Sequence, residues 1–300
     1  IGKFLYMFKA DYLIFRKALK FKPDLFLSFG SIYPAHASFL LKKPHIAFDD
    51  TEHSTEQYKL YSSFTEVVLT PSCFTKDLGI KQIRFDGYME LCYLHPKRFT
   101  ADTSVLDLLG VKQDEKYVIM RFVSWNASHD IGHSGLSLEM KRKIVNELSK
   151  YAKVFISSEG ELPDDLKKYQ IKIPPEKMHD ALAFATLLYG ESATMASECA
   201  MLGTPAIFHD NNGRGYTDEE EKRYGLVFNY SESIDDQNKS LKKAIELLNT
   251  PDLKQQFQQR REKMLADKID VTAFMVWFVE NYPESAKIMK ENPDYQWRFR

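Results

Sequence analysis

The sequence predicts an α/β protein with two domains, each a parallel β-sheet covered by helices. Short apolar runs alternate with segments of helical period, and most of the runs end in glycine, serine, aspartate or histidine. Alternation at these lengths predicts right-handed βαβ units and therefore parallel strands. The length of 300 residues favours two domains over one, and 44% hydrophobic residues can fill both cores.

The first predicted domain spans residues 1–97 and begins with an amphipathic helix, Phe4–Phe21. Its apolar groups recur near a 3.6-residue period, with lysines and arginines between them. We favour a crossover helix packed on a sheet with its lysines in water, and a basic helix on an anionic lipid surface is the alternative. The predicted strands lie at 25–29, 45–48, 66–70 and 82–85, with further helices ending at 41, following 53 and spanning 74–78.

The second predicted domain spans residues 98–265, and helices continue through 266–300. The stretch around His95 and Pro96 has no clear period and is interpreted as the connection between the domains. Thr217 and Glu220 have the spacing of a capping box, which predicts a short helix that begins there. The predicted strands lie at 117–123, 154–157, 186–189, 206–208 and 226–228, and the helices at 102–109, 138–151, 178–184, 193–202 and from 236 to 288.

Composition argues against several classes of protein. The net charge is −1 with mixed signs, and no nucleic-acid-binding motif occurs, so we expect no nucleic acid partner. The cysteines at 73, 92 and 199 form no C-x-x-C pair, which predicts a reducing, cytoplasmic location. No apolar run reaches the roughly 18 residues of a membrane span, and no signal-peptide pattern opens the chain.

The stretch Leu188–Ile207 has the pattern of strand, tight turn, helix and strand. Gly190 makes the turn, and the small residues Ser192, Ala193 and Thr194 begin the helix. The first turn of a helix has peptide N–H groups without partners and the positive end of the helix dipole, so it can hold a phosphate. Turns of this kind also occur in α/β proteins that bind no phosphate, and both interpretations stay open.

A cluster of acidic residues follows the second predicted strand, in the run D-D-T-E-H at 49–53. Asp50, Glu52 and His53 are candidates for proton transfer or sugar binding, because neighbouring carboxylates raise one another's pKa values. A metal site and a solvated helix cap are the alternatives. The residues are consecutive and share no helical face, which disfavours a metal.

Polar residues also occur in and after the first strand of the second domain. Arg121 lies inside an apolar run, and a buried guanidinium needs an anion, either a substrate phosphate or an internal carboxylate. We favour the internal pair, with Glu159 as the partner. Asn126 and His129 follow in the next loop and are candidates for substrate contact.

Five other residues are candidates, each with an alternative. Glu198 lies one turn into the helix at 193–202, where it can accept ribose hydroxyls or pair with a lysine or arginine. Glu191 repels a diphosphate unless it points aside to bind sugar hydroxyls or to act as a base. His179 can contact a nucleobase or act as a capping or core residue. Arg214 and Tyr216 lie in a glycine-bearing stretch that can either approach a ligand or form a surface loop.

With these residues placed, the chain resembles a prokaryotic family called domain of unknown function family 354. The resemblance covers nearly the whole chain. The family is itself similar to the two-domain GT-B glycosyltransferases and to UDP-N-acetylglucosamine 2-epimerase. The matching motifs are D-D-T-E-H at 49–53, G-Y-M-E-L at 87–91, R-F-V-S-W at 121–125, I-S-S-E at 156–159 and G-E-S-A-T-M-A-S-E at 190–198.

The GT-B resemblance implies two Rossmann-like domains that face a cleft, with the nucleotide mostly on the second domain. The helices at 266–300 would return to the first domain. Residues 190–194 would hold the diphosphate, Glu198 the ribose, and the loop before His179 the base. Glu191 departs from the Gly or Ser often found in those enzymes. The resemblance also implies that a segment of about 60 residues, one to two βα units, precedes Ile1.

Our leading hypothesis from the sequence is a glycosyltransferase that uses a UDP-linked sugar donor and no metal or other cofactor. The helix near Ser192 would stabilise the departing diphosphate, and Glu52 or His53 would deprotonate an unidentified glycan or lipid-linked acceptor. Such an acceptor would place the protein at the inner face of the membrane. A nucleotide-sugar 2-epimerase, with Glu52 and Glu191 moving protons, and a non-catalytic binding protein are the alternatives.

Overall fold

The structure, a computed structural model, describes residues 2–123 and 135–300. The chain forms two units, Ile1–Met89 with Ile269–Arg300 and Glu90–Lys268. The first stretch of the first unit alternates helices and strands, as the sequence predicts. Its elements are α1 Gly2–Phe21, β1 Phe26–Phe29, α2 Ile32–Leu41, β2 His45–Phe48, α3 Thr55–Ser62, β3 Val67–Pro71 and β4 Gln82–Phe85.

The second unit repeats this alternation over a larger sheet. Its strands are β5 Tyr117–Phe122, β6 Lys153–Ser158, β7 Leu187–Gly190, β8 Ala206–His209 and β9 Val227–Tyr230. Its helices are α4 Leu91–Leu94, α5 Val105–Leu109, α6 Leu138–Leu148, α7 Met178–Phe184, α8 Ala193–Leu202, α9 Gly215–Glu219, α10 Ile234–Leu248 and α11 Leu253–Asp267.

The chain then returns to the first unit through α12 Val271–Glu280 and α13 Glu284–Glu291. The returning chain lies directly against Gly87, where an added Cβ would be 2.3 Å from a methyl group of Val271. Ile269 N–H donates to the carbonyl of Asp86 at 3.0 Å. Since no side chain fits at Gly87, the end of β4 and the start of α12 pack closely.

Both sheets are parallel throughout, in the strand orders β1-β2-β3-β4 and β6-β5-β7-β8-β9. The central strand β7 is buried at every residue, and α8 is buried from Met195 to Leu202. The carboxyl ends of parallel strands lie at one edge of a sheet, so the last residues of β5, β7 and β8 lie near one another. Among the described helices, none is long and apolar enough to cross a membrane.

The helix predicted at 74–78 is wrong. The chain there is irregular and is followed by a short 3₁₀ turn, Gly79–Lys81. The side chain of Arg84 donates to the carbonyls of Ser72 at 3.2 Å and Lys76 at 2.7 Å. These carbonyls find a distant donor in place of a helical N–H, which a local pattern does not reveal.

The predicted capping box at Thr217 is also wrong. Thr217 is fully buried inside α9, and its hydroxyl donates to the carbonyl of Arg214 at 3.2 Å instead of accepting from the backbone. Glu220 does not reach back either, because it begins a π-helical turn, Glu220–Tyr224, and is itself fully buried. Burial of both side chains therefore overrides the surface capping pattern.

Within residues 2–123 and 135–300, one histidine is buried in each sheet, and both rings predict a loss of stability in acid. His45 and His209 are both 0% exposed, and burial lowers the pKa of each from 6.5 to about 4. The unfolded chain binds protons on these rings below pH 6.5 and the folded chain does not, so stability is lost as the pH falls towards 4. We expect each ring to lower the free energy of unfolding by about 2 kcal/mol between pH 7.5 and pH 5.

Urea unfolding at the two pH values measures this loss. His209→Asn and His45→Asn should be less stable at pH 7.5 but should flatten the pH dependence of the unfolding free energy. The other titrating groups are common to the parent and the variants, so a change of unfolding free energy between pH 7.5 and pH 5 that is the same in all three proteins would contradict the prediction.

Candidate functional site

The junction between β7 and α8 is built around Gly190. Gly190 pairs with Arg121 of β5 in the sheet, and an added Cβ would lie 2.2 Å from the Arg121 carbonyl oxygen. The next peptide N–H, of Glu191, donates to the same carbonyl at 3.1 Å. Only glycine fits here, and the close approach fixes where α8 begins relative to β5.

The start of α8 has the geometry of a capped helix. Ser192 is extended, with φ −104° and ψ 111°, and its hydroxyl accepts from the N–H of Met195 at 3.3 Å. Ala193 is half-buried and Thr194 is exposed, so the first turn is reached by solvent. Its peptide N–H groups and the positive end of the helix dipole face this side of the turn and can attract an anion.

The body of α8 is held from two sides. The hydroxyl of Ser197 donates to Glu220 Oε1 at 2.6 Å, and burial raises the pKa of Glu220 well above its ordinary value. At the other end, Gln258 Nε2 of α11 donates to the Leu202 carbonyl at 2.8 Å. These contacts keep the first turn of α8 in a fixed position.

Glu198 and His179, two predicted site residues, are in direct contact. His179 Nε2 lies 2.9 Å from Glu198 Oε1, and the Tyr93 hydroxyl donates to the same oxygen at 3.0 Å. Glu198 is 7% exposed, and among residues 2–123 and 135–300 no donor bonds its second oxygen, Oε2. The hydrogen bond and charge of Glu198 raise the pKa of His179 above its ordinary value, against the effect of burial. The partners are thus a histidine and a tyrosine, and not the lysine or arginine considered from the sequence.

Tyr93 is a site residue that sequence reasoning missed. It belongs to the four-residue helix α4, within a stretch interpreted as a connection between domains. Its ring lies 5.4 Å from the ring of His179 at an interplanar angle of 31°, and 42% of its surface is exposed. No period or motif around it marks a function. Its contact with Glu198, 105 residues away in the chain, is the only signal within the described residues.

Glu191 is 3% exposed and is committed to contacts within its unit. Its carboxylate accepts from the N–H of Val123 at 3.1 Å and from the N–H of Leu136 at 2.6 Å, and Lys141 Nζ lies 3.3 Å away. The carboxylate therefore binds both chain ends that flank residues 124–134. Two peptide N–H groups and Lys141 thus surround the carboxylate next to the start of α8.

Arg121 forms the internal ion pair that we favoured from the sequence. Its Nη2 lies 2.6 Å from Glu159 Oε1, and its Nη1 donates to Ser157 Oγ at 2.9 Å. Its Nε is buried and has no hydrogen-bond partner among the described residues. Asn126 and His129 lie outside the described residues.

Arg214 and Tyr216 occupy the loop and first turn that follow β8. Arg214 pairs with Asp210 at 2.7 Å, and its side chain is 14% exposed. Tyr216 is 7% exposed and lies in the first turn of α9. Both side chains are packed within the second unit.

The acidic run after β2 is ordered by local hydrogen bonds. Asp49 is buried and accepts from the Tyr61 hydroxyl at 2.6 Å and from the N–H of Thr51 at 3.0 Å. Burial raises the pKa of Asp49 above its ordinary value, and these bonds offset part of the shift. Thr51 also donates to Asp50 Oδ1 at 3.0 Å. Asp49 thus fixes the loop that presents the residues after it.

Glu52 and His53, the two predicted proton acceptors, differ in exposure. Glu52 is 5% exposed, and its Oε1 accepts from the N–H of Thr75 at 3.2 Å. His53 is half-buried. Within residues 2–123 and 135–300, no group of three or more His, Cys, Asp or Glu side chains has an arrangement that can hold a metal ion.

The sequence comparison gives one family. The sequence profile described as Protein of unknown function (DUF354) matches residues 4–218 of the chain. A search of curated proteins finds no match. The predicted resemblance to this family is therefore confirmed.

Solved structures similar to the chain include both epimerases and glycosyltransferases. S. aureus MnaA in its co-structure with UDP aligns with a TM-score of 0.62 at 12% identity, over 92% of this chain and 80% of that chain. UDP-GlcNAc 2-epimerase from Methanocaldococcus jannaschii aligns with a TM-score of 0.56 at 14% identity, over 81% and 75%. Spinosyn rhamnosyltransferase SpnG, complexed with spinosyn aglycone, aligns with a TM-score of 0.53 at 12% identity, over 91% and 80%. At these identities the likeness establishes the fold, and the predicted GT-B-like class with two Rossmann-like parallel sheets is confirmed.

Proposed function

The chain belongs to the family described as Protein of unknown function (DUF354), and on that premise we propose that it is an enzyme that transfers a sugar from a nucleoside-diphosphate donor to an acceptor hydroxyl. The observation that carries the proposal is the arrangement on α8. This one helix offers an anion-binding first turn and, one turn deeper, a carboxylate oriented by His179 and Tyr93. The two features suit the two polar parts of a nucleoside diphosphate.

In the proposed complex the diphosphate lies at the first turn of α8, near Ser192, Ala193 and Thr194. The rise from Thr194 to Glu198 is about 6 Å, which is compatible with the spacing between a diphosphate and ribose hydroxyls. Since His179 and Tyr93 both donate to Oε1, Oε2 of Glu198 is left to accept from ribose. UDP is the donor nucleotide that we propose.

We propose that the peptide dipoles of α8 stabilise the negative charge that develops on the departing diphosphate. This supports transfer without a metal ion. Addition of EDTA should then change the rate by less than about twofold, where a metal-bound diphosphate would lose activity outright.

We propose His53, and not Glu52, as the residue that accepts the proton of the acceptor hydroxyl. Glu52 is buried and receives a peptide N–H, so it suits the support of the loop better than exchange of protons with an acceptor. His53 is half-buried and has the imidazole that general-base catalysis near neutral pH commonly uses. A glycan or a lipid-linked hydroxyl is the acceptor class that we propose.

The contacts of Glu191 favour transfer over epimerisation. The epimerase alternative needs Glu191 to exchange protons with the substrate. Its carboxylate instead accepts two peptide N–H groups and pairs with Lys141. A carboxylate with these partners suits the support of the local backbone better than the exchange of protons with a substrate. Glycosyl transfer requires no such proton exchange at this position.

A substrate panel tests the proposal. The full-length protein is incubated with UDP-, GDP- and CMP-sugars, with and without acceptors from a cell extract, and products are followed by mass spectrometry and NMR. We expect release of UDP that depends on acceptor. Isomerisation of the sugar without an acceptor would indicate an epimerase. Thermal stabilisation by a nucleotide-sugar without turnover would indicate a binding protein. If no nucleotide stabilised the protein, the transferase, epimerase and binding-protein hypotheses would all be wrong.

A charge placed at the helix start gives a matched control. Thr194→Glu puts a carboxylate in the first turn of α8 and should abolish stabilisation by UDP through repulsion of the diphosphate. Ile234→Glu puts the same charge in the first turn of α10, at a side chain that is 74% exposed, and should leave UDP binding unchanged. If UDP stabilised both variants to the same extent, the diphosphate would not bind at the first turn of α8.

A further inference from the structure

A cavity of about 470 Å³ lies at the amino ends of three neighbouring strands of the second sheet. Lys116, Thr186 and Pro205, which directly precede β5, β7 and β8, are part of its lining. The proposed nucleotide site lies at the carboxyl ends of the same strands. The cavity is therefore separated from that site by about the length of β7, about 13 Å.

The walls of the cavity belong to the second unit. They combine aliphatic side chains of α5, of the end of α10 and of the start of α11 with polar groups from the adjoining loops. Leu106, Leu248 and Leu253 supply one side chain from each of these helices and are 8%, 1% and 8% exposed. Cavities of this volume, with apolar walls and a few polar groups, are typical sites for small molecules.

Lys254, in the first turn of α11, has no anionic partner among residues 2–123 and 135–300. Its Nζ lies 5.1 Å from the centre of the Phe184 ring, and both residues line the cavity. Although the residue as a whole is exposed, the loss of water around its ammonium lowers the pKa of Lys254 below its ordinary value. A bound anion would replace the stabilisation that this water gives to the charge.

A second ammonium group lines the same cavity. Lys116 Nζ donates to the carbonyl of Leu248 at 2.6 Å, and this bond uses one of its three N–H groups. The bond also ties the start of β5 to the end of α10, which fixes two walls of the cavity relative to each other. A ligand with a negative charge would thus meet two cations on a rigid wall.

Three carboxylates in the lining limit the charge that a ligand can carry. Glu115 is already paired, because its Oε2 lies 3.0 Å from Lys153 Nζ. Asp114 and Asp252 are exposed and would repel a ligand with several negative charges, such as a nucleotide phosphate. A ligand with one negative charge suits this lining better.

We propose that this cavity binds a small monocarboxylate with an apolar body. The carboxylate pairs with Lys254, and the apolar body packs on Phe184 and on the leucines of the walls. The ammonium and the aromatic ring are in contact, so one small molecule can engage both. The inference does not depend on the proposed sugar transfer.

Three probes with the same apolar body test the proposal. Octanoate, octanol and octylammonium are titrated into the full-length protein below their critical micelle concentrations, and binding is followed by saturation-transfer NMR. We expect octanoate to bind at least about tenfold more tightly than either of the others, since it alone can pair with the lysines. Lys254→Gln should weaken octanoate binding by about five- to tenfold and should leave octanol binding unchanged.

Matched variants locate the probe. Thr103→Trp adds a large side chain at an exposed lining position and should weaken octanoate binding at least about tenfold by filling the cavity. Leu108→Trp makes a similar change at an exposed position of α5 outside the lining, and Lys263→Gln removes an exposed lysine of α11 outside the lining. Both controls should bind octanoate as the parent does. All four substituted residues are exposed, so the variants should keep the thermal unfolding of the parent.

Three results would overturn the proposal. The first is no binding of octanoate, or binding no tighter than that of octylammonium. The second is a Lys254→Gln variant that binds octanoate as tightly as the parent. The third is octanoate binding that UDP abolishes and Thr103→Trp does not, which would place the probe at the nucleotide site. Failure of UDP to bind would instead count against the proposed sugar transfer and would leave this inference standing.

Discussion

Replacing Glu198 by Gln should weaken UDP binding by roughly 30- to 100-fold, the loss expected when charge-assisted bonds to ribose hydroxyls become neutral or are lost. The carboxylate is nearly buried and oriented by two donors on Oε1, so it pays little further ordering cost on binding. Tyr93→Phe removes one of these donors and should weaken UDP binding less, by about three- to tenfold. Isothermal calorimetry with UDP measures both losses.

Control measurements separate binding from folding. Glu246→Gln changes an exposed carboxylate on α10 and should bind UDP as the parent does. In Glu198→Gln the NMR titration midpoint of His179 should fall, since the hydrogen bond and charge of Glu198 are what raise that pKa. A fallen midpoint with unchanged UDP affinity would keep the His179 contact but exclude Glu198 from the ribose site.

Gly190→Ala should destabilise the second unit by more than about 3 kcal/mol, enough to unfold a marginally stable domain. The new Cβ would lie 2.2 Å from the Arg121 carbonyl oxygen and 2.9 Å from its nitrogen. These are backbone atoms of a paired strand, so relief requires β5 and β7 to separate. Urea unfolding followed by circular dichroism measures the change.

Gly160→Ala is the matched control, because an added Cβ there meets no atom within 4 Å. It should change the unfolding free energy by less than about 1 kcal/mol. If Gly190→Ala unfolded at the same urea concentration as Gly160→Ala, the close approach of β5 and β7 at this position would not be real.

Regular elements were predictable where apolar runs end at strong local signals. The bounds of β2 and α8 agree with the sequence-based prediction. The first element follows Pro44, and the second is capped by Gly203. The strand cores agree for the same reason, since a buried parallel strand needs a continuous apolar run. The irregular segment at 74–78 was not predictable, because its carbonyls are satisfied by the side chain of Arg84.

Sequence reasoning named Glu198 and His179 as candidates but missed Tyr93 and the contacts that join the three residues. Sequence spacing places Glu198 one turn along α8, yet it does not reveal that His179 of α7 and Tyr93 of α4 meet on one oxygen. From the sequence, Glu191 is a candidate base or a ligand of sugar hydroxyls, because a carboxylate at this turn would otherwise repel a diphosphate. Its partners lie 55 and 68 residues away in the chain, which no local pattern reports.

The double contact of Glu191 also bears on how this protein can evolve. Val123 and Leu136 are fixed by one carboxylate that belongs to neither end of the stretch between them. Because Glu191 itself lies between β7 and α8, one side chain links the end of β5, the residues just before α6 and the start of α8. A substitution at this position would reach all three elements at once, which leaves it little freedom to change while its neighbours vary.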